Sequence, residues 1–294
     1  MSKAKPKFDL ITSMAIFATI GIFRKYIPLP SSTVAMARAV IGTLFLVAVI
    51  LLRGKKISFE SIKKNALPLC FSGVFLGFNW ILLFEAYNHT TVATATLCYY
   101  MAPVILILAS PLLFKERLTV SKLVCAVVAV GGMTLVSGIF TSGDKGNDNI
   151  KGVLLGLCAA LLYAAVVTCN KKLKGIEAFD RTTVQLGISA IVLTPYTLLV
   201  EDFSQVALNG FTVIMLVTVG VVHTGIAYAL YFGCIDMLKT QTVAIYSYID
   251  PVGAVLLSAL FLKEPMGVFE IIGAVLVLGA TLASEVVDRK KQTA

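Results

Sequence analysis

Asp250 sits about eight residues into the apolar run 242–262, immediately before Pro251. A carboxylate in such surroundings is costly unless it is paired, hydrated or protonated. It can therefore anchor an ammonium group, carry a proton, or be satisfied by a neighbouring hydroxyl or arginine. Pro251 removes one backbone donor and loosens the carbonyl ladder a turn earlier, which predicts a kink at this acid. His223, near the middle of the run 210–232, can exchange a proton near neutral pH or serve as a satisfied core residue. Arg38, in the run 33–52, either snorkels along its aliphatic stem to an interface or offers its fork of donors to a carboxylate. If Arg38 and Asp250 line one cavity, a zwitterion such as an amino acid fits between them.

Aromatic and amide side chains extend this set. Asn79 and Trp80, the single tryptophan, fall in the interior of the run 66–84, whereas tryptophan usually marks a membrane interface. Tyr246, Asp250 and Gly253 are spaced i, i+4, i+7 and share one face of a continuous helix. Tyr99 with Ala102 and Pro103 forms a comparable stripe in the run 92–114. Such faces hold organic cations by cation–π attraction, and they are equally ordinary as packed core. Gln185 is a minor candidate. Gly73/Gly77 and Gly152/Gly156 have the spacing that lets helices approach closely. The six cysteines, at 70, 98, 125, 158, 169 and 234, all lie inside apolar runs without CxxC spacing, so neither a zinc site nor a disulfide framework is indicated. Walker, His-Glu-x-x-His and Gly-x-Ser-x-Gly patterns are lacking, which argues against ATP hydrolysis and against the familiar hydrolase chemistries.

The elements that hold these residues follow from composition. Of the 294 residues, 58% are hydrophobic and 14% charged, against about 25% charged in a typical soluble domain. Runs of roughly 17–25 apolar residues are long enough to cross a bilayer as helices. They are expected at 9–27, 33–52, 66–84, 92–114, 121–140, 151–170, 181–200, 210–232, 242–262 and 268–287. The first run lacks a small-residue cleavage site and is followed by more of its kind, so it reads as a span rather than a signal peptide. The net charge of +9 is spread over separate loops with no aromatic interleaving, which speaks for membrane orientation and against nucleic acid. Lys and Arg number 19 in segments on the side of the N-terminus and 5 on the other, with Arg38 left inside a span. That bias puts both termini in the cytoplasm.

The chain also repeats itself. Shifted by 148 residues, Gly77–Gly131 falls on Gly225–Gly279 without a gap and with 16 identities in 55 positions, where such a composition gives about five by chance. The clearest block is Pro103, Val104, Leu108, Ser110, Leu112, Lys115 and Glu116, against Pro251, Val252, Leu256, Ser258, Leu260, Lys263 and Glu264. A second offset, of 147, aligns Ala18 with Ala165, Lys25 with Lys172 and Arg38 with Gln185. Five helices per copy is an odd number, so the second copy lies upside down in the membrane, as in many secondary transporters.

Ten spans, paired five-helix repeats and a Pro-containing fourth helix ending in Lys-Glu resemble the EamA-type members of the drug/metabolite transporter superfamily. The resemblance implies a central cavity lined by helices one to four and six to nine, with five and ten as peripheral supports. The expected architecture is an all-α membrane protein of ten transmembrane helices in two inverted repeats, 1–143 and 144–294. The expected function is secondary transport of a small metabolite, an amino acid or amine, by alternating access across the cell membrane. It needs no cofactor, draws on a substrate, proton or sodium gradient, and allows a homodimer. Substrate contacts are expected from Asp250, Tyr246, His223, Trp80, Asn79, Tyr99 and Arg38, and bending at Pro103 and Pro251. The rival readings are an intramembrane enzyme using His223 and Asp250 as an acid–base pair and a scaffold that transports nothing.

Overall fold

A computed structural model describes residues 4–54, 58–115, 118–137, 146–203, 208–238, 240–264 and 266–292. Among these residues the chain is helical without strands. The helices are α1 (Ala4–Lys25), α2 (Ser31–Leu52), α3 (Phe59–Lys64), α4 (Ala66–His89), α5 (Val92–Tyr99), α6 (Ala102–Phe114) and α7 (Val120–Val136), followed by α8 (Gly146–Lys171), α9 (Ala178–Val200) and α10 (Gly210–Thr218). A π-helical segment, Val219–Ile226, joins α10 to α11 (Ala227–Cys234); α12 (Thr240–Ser247), α13 (Ile249–Phe261) and α14 (Val268–Gln292) complete the chain.

Long apolar helices are the form in which such a sequence can satisfy its backbone without water. Seven helical stretches are long and apolar enough to cross a membrane: Lys5–Lys25, Ser31–Leu52, Ala66–His89, Val92–Leu113, Asp148–Lys171, Ala178–Val200 and Gly210–Cys234. Three shorter apolar helices, Val120–Val136, Ile245–Phe261 and Val268–Ser284, lie at the remaining expected spans. Leucine and valine stand outward along them, with Leu52, Leu112 and Leu199 at 86–89% exposed; a surface of that kind needs lipid. Starts are set by side-chain caps: Thr91 accepts from the amide of Thr94 at 3.0 Å, and Asn209 from that of Thr212 at 2.8 Å.

Two of the expected continuous helices are broken. The stretch 92–114 is interrupted at Tyr100–Met101, and the stretch 242–262 at Tyr248. In each case the upper helix ends four residues before a proline, at Tyr99 before Pro103 and at Ser247 before Pro251. This is where the pyrrolidine ring excludes the i−4 carbonyl from the ladder. The break corrects the expectation that Tyr246, Asp250 and Gly253 share a continuous face, because Tyr246 lies in α12 and the other two in α13. The other end of each broken pair is alike as well. Lys115 and Lys263, one repeat apart, both take the left-handed conformation, with φ of 56° and 53°.

The packing pairs α4 with α8 and α9, α2 with α9 and the π-segment, α1 with α11 and α13, and α7 with α14. The helix α13 also packs on α5, which brings the two broken stretches side by side. The glycines flagged in sequence serve close approach. A Cβ on Gly73 would meet Ile188 at 2.7 Å, and one on Gly152 would meet Thr90 at 2.7 Å.

Candidate substrate-binding site

The breaks expose what regular helices would hide. Tyr100 stands at the first break, and its hydroxyl donates to Asp250 Oδ2 at 2.8 Å, in the first turn of α13 just past the second. Tyr99 turns the other way: its ring lies 5.3 Å from Tyr163 of α8, and its hydroxyl donates to Asn79 Oδ1 at 3.5 Å. Asn79 is buried and its amide donates to the Ala159 carbonyl, tying α4 to α8. Asp250, Tyr99, Tyr100 and Tyr228 each keep part of their surface open, and Tyr163 is 37% exposed. These groups are not fully sealed into a packed core.

Arg38 is held by α2. It is 5% exposed, so the expectation that it snorkels to an interface is corrected. Its guanidinium carbon lies 3.9 Å over the Trp80 ring and 5.8 Å from Phe84, and Nε donates to Thr224 Oγ1 at 2.8 Å. Trp80 is thereby a platform deep in the bundle rather than an interfacial anchor. Arg38 and Asp250 each feel the other's charge, yet among the described residues no ion pair joins them. Each has its own hydrogen-bond partner, Thr224 for Arg38 and Tyr100 for Asp250, and Tyr87, Tyr99 and Tyr228 feel both charges.

The other candidates fall elsewhere. His223 is buried in the π-segment, where Nε2 bonds the Thr19 hydroxyl at 2.9 Å and the ring lies 4.7 Å from Phe23. It faces α1, and no contact with Asp250 unites the two. Tyr246 packs in a separate apolar cluster with Leu10, Met14 and Cys234. Gln185 joins Ser72 and Asn170 at 2.6 Å each, a link between α9, α4 and α8. Pro103 and Pro251 lie at the starts of α6 and α13 as described.

Several neighbours of Asp250 and Arg38 were not among the sequence candidates. For Tyr100 a signal existed, since Tyr100 and Tyr248 are identical across the 148-residue offset and each precedes its proline by three. Tyr228 falls on Trp80 across the same offset, so a signal existed there too, whereas Tyr163 and Thr224 carry none, because only packing brings them to this region. A cavity of about 220 Å³, lined by Ile50, Arg53, Glu177, Phe179 and Phe232 among others, lies apart from Asp250, between the end of α2 and the start of α9.

Comparison with known proteins agrees with this architecture. The model of the EamA-like transporter family matches residues 8–138 and again 150–284. The uncharacterized transporter YxxF of Bacillus subtilis is 29% identical over 288 residues, 98% of this chain and 91% of that protein. Protein RarD of Salmonella typhi is 24% identical, with 91% of this chain and 90% of RarD covered. A crystal structure at 20% identity superposes with a TM-score of 0.65 over 98% of this chain and 99% of the other, which speaks to the fold alone.

Proposed function

Because this chain belongs to the EamA-like transporter family, we propose that it is a secondary transporter whose cargo is a small metabolite bearing an amino group, an amino acid or amine, held at Asp250. The observation that carries this reading is the carboxylate itself. Asp250 lies in a broken helix of a multi-pass membrane protein, bonded to Tyr100, whose ring in turn neighbours Tyr99. A membrane-interior acid in such a place suits an ammonium ion, by charge and by cation–π attraction. Arg38 suits the carboxylate of a zwitterion.

The proposed mechanism is alternating access by ten spans in two inverted halves, 1–143 and 144–294. The packing supports it. Exchanging the halves maps α4 on α8 to the contact of α11 on α1, and maps α2 on α9 and α7 on α14 onto themselves. The breaks ahead of Pro103 and Pro251 are the proposed bends, one per half. The 19-to-5 distribution of Lys and Arg supports cytoplasmic termini in the cell membrane. Proton or sodium coupling and a homodimer belong to the same proposal. Among the remaining candidates, Asn79 and Tyr99 are proposed as cavity wall, Tyr246 and His223 as contacts made when the helices shift.

The test is flux into proteoliposomes over a panel of amino acids and amines, with thermal shift on the same panel. Asp250→Asn should abolish both flux and stabilisation by amines. Equal stabilisation of the native protein and the variant would remove the anchor. Chemical conversion of a substrate during the assay would favour the enzyme reading over transport.

A further inference from the structure

The guanidinium of Arg38 is fixed more tightly than a stacked arginine need be. A cation held 3.9 Å over the Trp80 ring by attraction to its face alone remains free to turn there. One hydrogen bond at Nε removes the turn and decides where the two Nη groups point. The acceptor of that bond is itself committed. The Thr224 hydroxyl gives its proton to the Val219 carbonyl at 3.1 Å, so Arg38 meets its lone pairs. That carbonyl lies five residues back, the spacing of the π-turn in which both residues sit. The Thr224 methyl fits only because position 42 of α2 is glycine: a Cβ there would come within 2.4 Å of Thr224 Cγ2.

The π-turn is not part of the duplicated plan. Its counterpart 148 residues earlier, 71–78, lies within the regular helix α4. Such turns sacrifice hydrogen-bond geometry and recur where a side chain must be re-aimed. Here the re-aimed side chain touches a buried guanidinium that, among the described residues, has no carboxylate in ion-pair contact. A buried charge left in that condition is costly, and an incoming anion relieves the cost.

We infer that Arg38 on its Trp80 platform is an anion receptor, and that Thr224, set by the π-turn, is the positioning residue that aims its fork. The receptor's cargo rests on the transport reading above, but its geometry is testable without any cargo. Trp80 is the only tryptophan, so its emission in nanodisc-embedded protein reports the cation stacked on it. Arg38→Gln defines the full spectral change. Thr224→Val, which keeps shape and loses the acceptor, should shift emission in the same direction by at least about half as much. Thr224→Ser should restore the native spectrum. Thr224→Ala serves as a second acceptor-free variant should the valine protein fail to fold.

A native spectrum in the folded acceptor-free variants, beside a changed one in Arg38→Gln, overturns the positioning role. No change in Arg38→Gln overturns the platform. Propionate should perturb the native emission where propionamide does not, and Thr224→Val should weaken the propionate response by roughly tenfold. An equal response to the two probes, or none to propionate, overturns the receptor. Asp250→Asn should leave the spectrum native. If that variant also transports normally, the amine anchor fails while the receptor stands.

Discussion

Asp250 and Tyr100 meet because Tyr100 stands at one break, Asp250 lies just past the other, and α13 packs on α5. A phenol that donates to a carboxylate both steadies the oxygen and presents a ring face to whatever cation the acid holds. Tyr100→Phe keeps the ring and removes the donor. On the proposed reading it should weaken amine binding by ~1–2 kcal/mol, a rise of roughly tenfold in apparent KM, with the maximal rate little changed. Flux measured against cargo concentration checks this, and an unchanged KM would leave the bond without a part in binding. Asp250 and Arg38 were legible in sequence because a charge inside an apolar run is conspicuous whatever surrounds it. Tyr246 was not correctly placed by sequence, since its helical spacing to Asp250 assumed a ladder that Pro251 interrupts.

Prolines at matched positions turn two spans into four shorter helices. Pro251→Ala supplies the missing donor and removes the clash with the Ser247 carbonyl, so it should join α12 to α13 through Tyr248. The expected outcome is a protein that melts no lower than the native one and exchanges cargo at least several-fold more slowly, with Pro103→Ala behaving alike. Intact exchange in both would remove the bends from the mechanism. These breaks could be anticipated, because proline acts through the local backbone. The π-turn at Val219–Ile226 could not be. It has no proline, and its packing partner Gly42 lies 182 residues from Thr224 in the chain.

The two halves are stitched together on the face where α1 ends. Lys25 lies 3.5 Å from Glu264 and reaches the Thr90 carbonyl at 3.4 Å. Glu264 also accepts from the Val92 amide at 2.9 Å and from the Ser258 hydroxyl. Ser32 bonds Glu201, and His89 bonds Asp148 at 2.6 Å, so helix ends from both halves are joined. If this face must part during transport, Glu264 is its most heavily used residue. Glu264→Ala should speed thiol labelling of a cysteine at position 99 from that side by about fivefold, in a background lacking the native cysteines, while Lys25→Met, which spares the amide bond, should do less. Equal labelling in all three proteins would mean that these bonds do not keep the face closed.

Membrane residence, helical class and family were determined by the sequence, because hydrocarbon tolerates one kind of backbone and a long apolar run can answer in only one way. The duplicated Pro-to-Lys-Glu block was equally plain, being a pattern of residues at fixed spacing. What no spacing contained was which charges share a space. Arg38 and Asp250 are 212 positions apart, and whether they meet depends on the angles at two broken helices and one π-turn, each settled by contacts between distant segments. Local backbone chemistry acts over a few residues and can be read along the chain; the candidate site is assembled from segments that the chain brings together only after it has folded.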